Sequence, residues 1–327
     1  MTRRTLLIPA VTVGVGLALM AGLAVGSQPA GAAGASGLRP TSTAASTPSQ
    51  RPADTRSATV RIAAVADIAC DPGSPDFHGG QGSGQRCRAQ AVADRISAYA
   101  PDLVLIPGDL QYDSGSLAAF RGSFGVAYAG LLDRVRAVPG NHEWRTPDAA
   151  GFRAFFADTQ GVRRTWLALD AGPWRVLGLD SNCTLVGGCG PASRQGRWLA
   201  GQLADSPRQC TLAFWHHPRR SSGPHGDEVT AGVRHLWQTA SDGGVDIVLN
   251  GHDHLYERFA PRGGIRAFTV GAGGKDHYWI EKRRAGSRAI DTTHFGALIL
   301  DLRADGYSWR FIGMGGRVLD SGTGICS

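Results

Sequence analysis

Short uninterrupted apolar runs recur along residues 59–320, separated by polar or glycine-rich stretches. Residues 59–67 (TVRIAAVAD) and 103–109 (LVLIPGD) read as buried strands, because neither alternates polar with apolar positions. Residues 88–100 have helical spacing, and 117–132 read as mostly helical. Residues 135–141 (VRAVPGN) run into a turn, and short apolar strands follow at 211–216 (TLAFWH) and 245–250 (VDIVLN). The tail reads as alternating strands at 265–271, 297–302 and 307–312. Strands interleaved with helices predict an α/β layered domain, here spanning 59–327.

The N-terminus follows a different pattern. Arg3 and Arg4 precede an uncharged apolar run from Leu6 to Gly26, and small residues follow, with Ala30-Gly31-Ala32 as a cleavage site. That layout predicts a secretory signal over 1–32, and the paired arginines resemble a twin-arginine export signal. An uncleaved anchor is the alternative, since the run is just long enough to span a bilayer. Residues 33–58 contain almost no large apolar side chain and read as a flexible Ala/Ser/Thr/Pro linker. The expected location is secreted or extracytoplasmic.

Composition narrows the classes further. The chain has 327 residues, 42% of them hydrophobic, which is ample for a core and excludes a wholly disordered protein. The net charge of +7 misleads, because Arg3, Arg4, Arg39, Arg51 and Arg56 face only Asp54 in the first 58 residues. No run of five or six basic residues occurs, so neither a nucleic acid as a stable partner nor a membrane surface after signal cleavage is expected. Lysine stands only at Lys275 and Lys282, and the dominance of arginine reads as codon bias.

Six cysteines suit an oxidising compartment. Loop proximity suggests Cys70–Cys87 and Cys183–Cys189, leaving Cys210–Cys326 to fasten the C-terminus. The glycine-rich 70–87 segment then forms a stapled loop on the rim of whatever Asp67 serves.

The chemistry gathers where strands run out. Asp67 ends AAVAD, Asp109 ends LVLIPGD, Asn141 follows AVPG, His216 ends TLAFW, and His252 and His254 follow IVLNG. Sites in α/β sheets form beyond the carboxyl ends of strands. Each signal alone is weak, since Gly-Asp and Gly-Asn are ordinary turn pairs. Five such ends in order, each with an oxygen or nitrogen donor, predict a metal cluster. In extended backbone, residues two apart face one side, so His252 and His254 are expected to reach a common site.

The blocks Asp67-Ile68-Ala69, Gly108-Asp109-Leu110-Gln111-Tyr112, Gly140-Asn141-His142-Glu143, His216-His217-Pro218 and Gly251-His252-Asp253-His254 resemble the five motifs of calcineurin-like metallophosphoesterases. Tyr112, three residues after Asp109, and Tyr256-Glu257-Arg258 after the last block are similar to the purple acid phosphatase branch in its compact, single-domain form. The resemblance implies a four-layer α/β/β/α sandwich and two metals. Fe(III) would be held by Asp67, Asp109, Tyr112 and His254. A divalent ion (Zn, Mn or Fe) would be held by Asp109, Asn141, His216 and His252, with Asp109 bridging. Hard carboxylate and phenolate donors suit trivalent iron, and neutral amide and imidazole suit the divalent ion.

The resemblance further implies substrate-facing histidines at His142 and His225, either of which could bind phosphate or protonate the leaving group. The expected activity is hydrolysis of small phosphate monoesters by a metal-activated hydroxide, with phosphodiester hydrolysis as the alternative and a non-catalytic metal-binding protein as a third reading. His217, Arg219 and Arg220 are adjacent and could touch an anionic substrate, but read first as solvated surface. The chain departs from the family pattern at Ala69, where a metal-binding histidine is common, and at Glu143, where Asp is common. Tyr112 would replace the donor missing at Ala69.

Overall fold

The computed structural model describes residues 59–161, 164–205 and 210–326. The expected signal (1–32) and linker (33–58) lie outside the described residues.

Two sheets form the centre. The first has the order β13-β12-β11-β1-β2-β3, built from β1 (Val60–Ala64), β2 (Leu103–Pro107), β3 (Val135–Val138), β11 (Gly296–Arg303), β12 (Gly306–Gly313) and β13 (Val318–Ile325). The second has the order β10-β8-β9-β7-β6-β5-β4. It comprises β4 (Leu167–Ala171), β5 (Trp174–Gly178), β6 (Cys210–Phe214), β7 (Ile247–Asn250), β8 (Tyr256–Phe259), β9 (Arg266–Val270) and β10 (Ser287–Asp291).

Side-chain alternation sorts three cores. In β1, Ile62 and Ala64 point between the sheets, where they meet Leu212, Phe214 and Leu298. Ala63 and Val65 point outward to α1 (Ala89–Ser97), α2 (Leu117–Gly122), α3 (Phe124–Ala127) and α4 (Ala150–Gln160). In β6, Ala213 and Trp215 point outward to α5 (Arg194–Ala204) and α6 (Ala231–Asp242). The layers are therefore α/β/β/α, as expected. The central strands are apolar on both faces because each face is covered.

The helix expected over 117–132 is broken. Ser123 has φ −134° and ψ −79°, and the Phe124 amide donates to the Gln111 side-chain oxygen at 3.0 Å. A tertiary hydrogen bond thus captures a donor that a continuous helix would use.

The three disulfides are Cys70–Cys87, Cys183–Cys189 and Cys210–Cys326, the pairings that loop proximity suggested. The stapled 70–87 loop leans on the segment beside Asp67: the Cys87 amide donates to the Lys275 carbonyl at 3.1 Å, and the Lys275 amide to the Asp67 carbonyl at 3.1 Å. Among the described residues no helix is long and apolar enough to cross a membrane.

The Tyr256-Glu257-Arg258 block serves the architecture. Asp320 on β13 accepts from the Tyr256 hydroxyl (2.7 Å), Arg258 Nε (2.7 Å) and Nη2 (3.0 Å), and Trp309 Nε1 (3.1 Å), tying β8 of one sheet to β13 of the other. Burial pushes the Asp320 carboxyl up, but the Arg258 and Tyr256 hydrogen bonds outweigh it and hold the group below its ordinary range. A carboxyl depressed in the folded state stabilises above its unfolded pKa and loses that contribution as pH falls through the folded value. Asp320→Ala should therefore cost about 2–3 kcal/mol at neutral pH, because four donor groups on three residues lose their acceptor. The difference between wild type and variant should shrink in urea titrations below about pH 4.

Candidate metal centre

Strand direction assembles the site. β1, β2 and β3 run parallel in one sheet, so Asp67, Asp109 and Asn141 emerge at the same end. β6 and β7 run parallel in the other sheet and deliver His216, His252 and His254. The Ala66 amide donates to the Val270 carbonyl at 2.9 Å, stitching the two sheets beside these ends.

The turns are strained. Asp67 (φ 61°), Asp109 (φ 47°) and His252 (φ 73°) all adopt left-handed backbone. Non-glycine residues hold that conformation only where their surroundings over-determine it, and such residues cluster at functional sites. At Gly140 the approach is close enough that a Cβ would sit 2.0 Å from Asp109 Oδ1.

Two groups of donors result. In the first, the Tyr112 hydroxyl lies 2.9 Å from Asp67 Oδ1, 3.0 Å from Asp109 Oδ2 and 2.9 Å from His254 Nε2. In the second, His216 Nε2 lies 3.3 Å from Asp109 Oδ2, 3.0 Å from Asn141 Oδ1 and 3.2 Å from His252 Nδ1. Asp109 belongs to both. Asp67, Asp109, Tyr112 and His254 thus face one another, as do Asp109, Asn141, His216 and His252.

The outer contacts orient the rings. His216 Nδ1 donates to the Pro107 carbonyl at 2.9 Å, which leaves Nε2 its lone pair. His254 Nδ1 is hydrogen-bonded to Asp276, and its Nε2 faces Tyr112. Imidazole–carboxylate and imidazole–carbonyl pairs of this kind fix the tautomer of metal-binding histidines.

The donor set fits cations. One phenolic proton serves one acceptor at a time, yet the Tyr112 oxygen faces three. His216 Nε2 similarly faces two oxygens and one nitrogen. Asp67 is fully buried and Asp109 is 2% exposed. Burial pushes the Asp67 carboxyl up to about 6, although His254 and His216 pull it down. Burial also raises Asp109, but the charge and hydrogen bond of His216, together with His142, outweigh it and leave this carboxyl well below its ordinary range. Burial would lower His216, yet Asp109 and Asp67 lift it to about 9. Without metal, protons must therefore supply the positive charge that these buried carboxylates require. Asp67, Asp109 and His216 place ligand atoms within 4.8 Å of one another.

The two remaining histidines flank this centre. His142 Nδ1 lies 2.6 Å from the Asp113 carbonyl, and its Nε2 points inward, 3.9 Å from Asp109 Oδ2. Burial lowers its pKa. His225 Nδ1 lies 2.8 Å from Asp253 Oδ1, and its ring is 4.3 Å from that of His252. The Asp253 hydrogen bond raises the His225 pKa and favours the protonated ring.

Two expectations are corrected. His252 and His254 do not alternate on extended backbone. The segment turns, with the Asp253 amide on the Gly251 carbonyl (3.0 Å) and the Leu255 amide on the Asp253 carbonyl (2.7 Å), so the two rings join different groups. His217 is not solvated surface. Its ring lies 4.6 Å from that of His252, and Ser181 Oγ is 2.8 Å from its Nδ1. Burial and His216 push its pKa down to about 3.

Several functional neighbours escaped the reading of the sequence. Glu143 is fully buried and accepts from the amides of Asp109 (3.0 Å), Gln111 (3.0 Å) and Gly140 (2.7 Å), which pins the turns after β2 and β3. Asp276 holds His254, and Tyr278 stacks on His254 with centroids 3.9 Å apart. Asp253 sits between two motif histidines, a position that could have marked it. Asp276 and Tyr278 come from the segment after β9 and carry no local signal.

The model of the calcineurin-like phosphoesterase family matches residues 60–256, and the chain belongs to that family. Its similarity runs to purple acid phosphatases. It is 26% identical over 206 residues to purple acid phosphatase 17 of Arabidopsis thaliana, covering 53% of this chain and 59% of that protein. It is also 26% identical over 200 residues to acid phosphatase type 7 of Danio rerio, covering 51% of this chain and 43% of the relative. The chain spans between 38% and 59% of the length of the curated relatives it matches. Its fold is shared with a purple acid phosphatase from yellow lupin (Lupinus luteus) seeds, at TM-score 0.70 and 18% identity, covering 82% of this chain and 54% of the other.

Proposed function

We propose that this chain is an exported, metal-dependent phosphomonoesterase of the purple acid phosphatase type. The observation that carries the reading is the convergence of Asp67, Asp109 and His254 on the Tyr112 oxygen, beside a second set of donors that shares Asp109. Asp67, Asp109, Tyr112 and His254 would hold Fe(III). Asp109, Asn141, His216 and His252 would hold a divalent ion (Zn, Mn or Fe). Such a pair supplies Lewis acidity and an activated water for attack on phosphorus.

The protein's own groups do the rest. His142, anchored through Nδ1, presents Nε2 toward the shared carboxylate and can bind a phosphoryl oxygen. His225, whose protonated form Asp253 favours, can give its proton to a departing alkoxide. Three disulfides support export, with residues 1–32 as the signal, 33–58 as the linker and 59–327 as the catalytic domain.

The test combines metal analysis, visible absorption and a substrate panel on one preparation. Two metals per chain are expected, one of them iron, with monoesters preferred over diesters. A phenol with an ordinary pKa near 10 ionises at neutral pH only against a strong Lewis acid, so iron bound to Tyr112 should give a charge-transfer colour. Tyr112→Phe should bleach that colour while some activity survives. A colourless, iron-free and fully active protein would remove the purple assignment, and a preference for diesters would remove the monoesterase reading.

A further inference from the structure

The loop that carries His216 also carries Arg219 and Arg220, and these two side chains serve a different surface. Together with Arg234 and Trp237 of α6 and Arg262 after β8, they line a cavity of about 380 Å³ with no acidic residue in its wall. That volume equals roughly a dozen water molecules of liquid, room for two or three linked phosphoryl groups. None of the residues proposed for the metal centre lines it.

The four guanidiniums lack counter-ions. Among the described residues, the side chains of Arg219, Arg234 and Arg262 make no hydrogen bond or ion pair. Arg220 lies over the rings of Phe259 (4.9 Å) and Trp237 (5.9 Å), and its Nη2 is buried without an acceptor. Glu257 is the acid whose charge reaches Arg220, but its carboxylate is already engaged by the Ser222 amide (2.8 Å) and hydroxyl (2.5 Å). An adjoining lobe of about 310 Å³ shares the four arginines and adds Arg284 and Asp227, which pair with each other at 2.6 Å. Arg234 and Arg262 repel Arg219, and Arg262 and Arg219 repel Arg220. Arg219 and Arg220 are half-buried, and Arg234 and Arg262 are exposed. These converge on one concavity with an aromatic floor.

We propose that this cavity is an anion site for a ligand bearing two or more linked phosphoryl groups, separate from the metal centre. Planar guanidinium forks match phosphoryl oxygens bidentately, and a multivalent anion removes a repulsion that single chloride ions only screen. Arg219 and Arg220 of the cavity wall and the general-acid candidate His225 belong to the same loop between β6 and α6, so occupancy would be felt close to the reaction.

The experiment is a calorimetric titration of the metal-loaded, full-length protein with methylenediphosphonate, whose carbon bridge resists hydrolysis. Wild type should show two binding events, one of them matching its inhibition constant against 4-nitrophenyl phosphate hydrolysis. In the Arg234→Gln/Arg262→Gln variant the other event should weaken about tenfold or more, the loss expected for charge-assisted hydrogen bonds. Both side chains are exposed, so the thermal midpoint and kcat/KM should stay unchanged. The weakened event should also be the more sensitive to salt. A single event in wild type, or a second event of unchanged affinity in the variant, would overturn the proposal.

Discussion

Asp109→Asn should leave the protein unable to hold its full metal complement and lower phosphoester hydrolysis by more than about 100-fold, the upper range for losing a mere outer partner of a metal ligand. The substitution is nearly isosteric. Its remaining oxygen can still accept from the His142 amide, as Asp109 Oδ1 does at 2.9 Å. What disappears is the negative charge shared by the Tyr112 and His216 groups, whose contacts with Asp109 Oδ2 are 3.0 and 3.3 Å. In the metal-free protein that charge lies buried between His216 and His142 on one side and Asp67 and Glu143 on the other, and it raises the pKa of both carboxyls. His216 and His142 hold the Asp109 carboxyl below its ordinary range, so its charge stabilises the fold at neutral pH, and the metal-free variant should unfold at a lower temperature than the metal-free wild type. Full metal occupancy in the variant, measured by elemental analysis, would contradict the bridging role.

His225→Ala should separate substrates by their leaving groups. An alkyl phosphate releases an alkoxide that needs a proton, whereas a nitrophenyl phosphate releases a stable phenolate. General acid catalysis contributes typically about 10²–10⁴-fold, so kcat on alkyl phosphates should fall by that order and on nitrophenyl phosphate by far less. The Asp253 hydrogen bond at 2.8 Å favours the charged imidazole, so the acid is expected to stay loaded to higher pH than an ordinary histidine and to fail as pH rises past its elevated pKa. In Asp253→Asn the alkaline limb of the alkyl-phosphate rate should move to lower pH, because the pKa-raising partner is lost. Equal losses on both substrate classes would restrict His225 to phosphate binding or loop packing.

Much of this architecture is legible from local signals. Strands β1, β2, β6 and β7 are continuous apolar runs because they are covered on both faces, and a run ending in Asp, Asn or His marks where each meets the site. The disulfide partners were legible because two of the pairs close short loops, leaving one pair over. Strands β4, β8, β10 and β13 are mixed in composition, since each is short, near an edge or half-covered, and their pattern alone did not announce them.

The sequence by itself determined the donors: which side chains could bind a metal, their order, and the strand each one follows. Their division was implied by the family resemblance and not by spacing, and the tertiary structure supplies its local geometry. His252 and His254 stand two residues apart, yet they serve different groups because His252 takes left-handed backbone and the chain turns there. Glu143, Asp276 and Asp253 orient the site from positions with no periodicity to reveal them, because a buried carboxylate is placed by the amides and imidazoles it satisfies. The arginine cavity has the same origin. Arg219, Arg220, Arg234 and Arg262 are scattered single charges along the chain, and packing α6 beside the loop after β6 brings them to face one another.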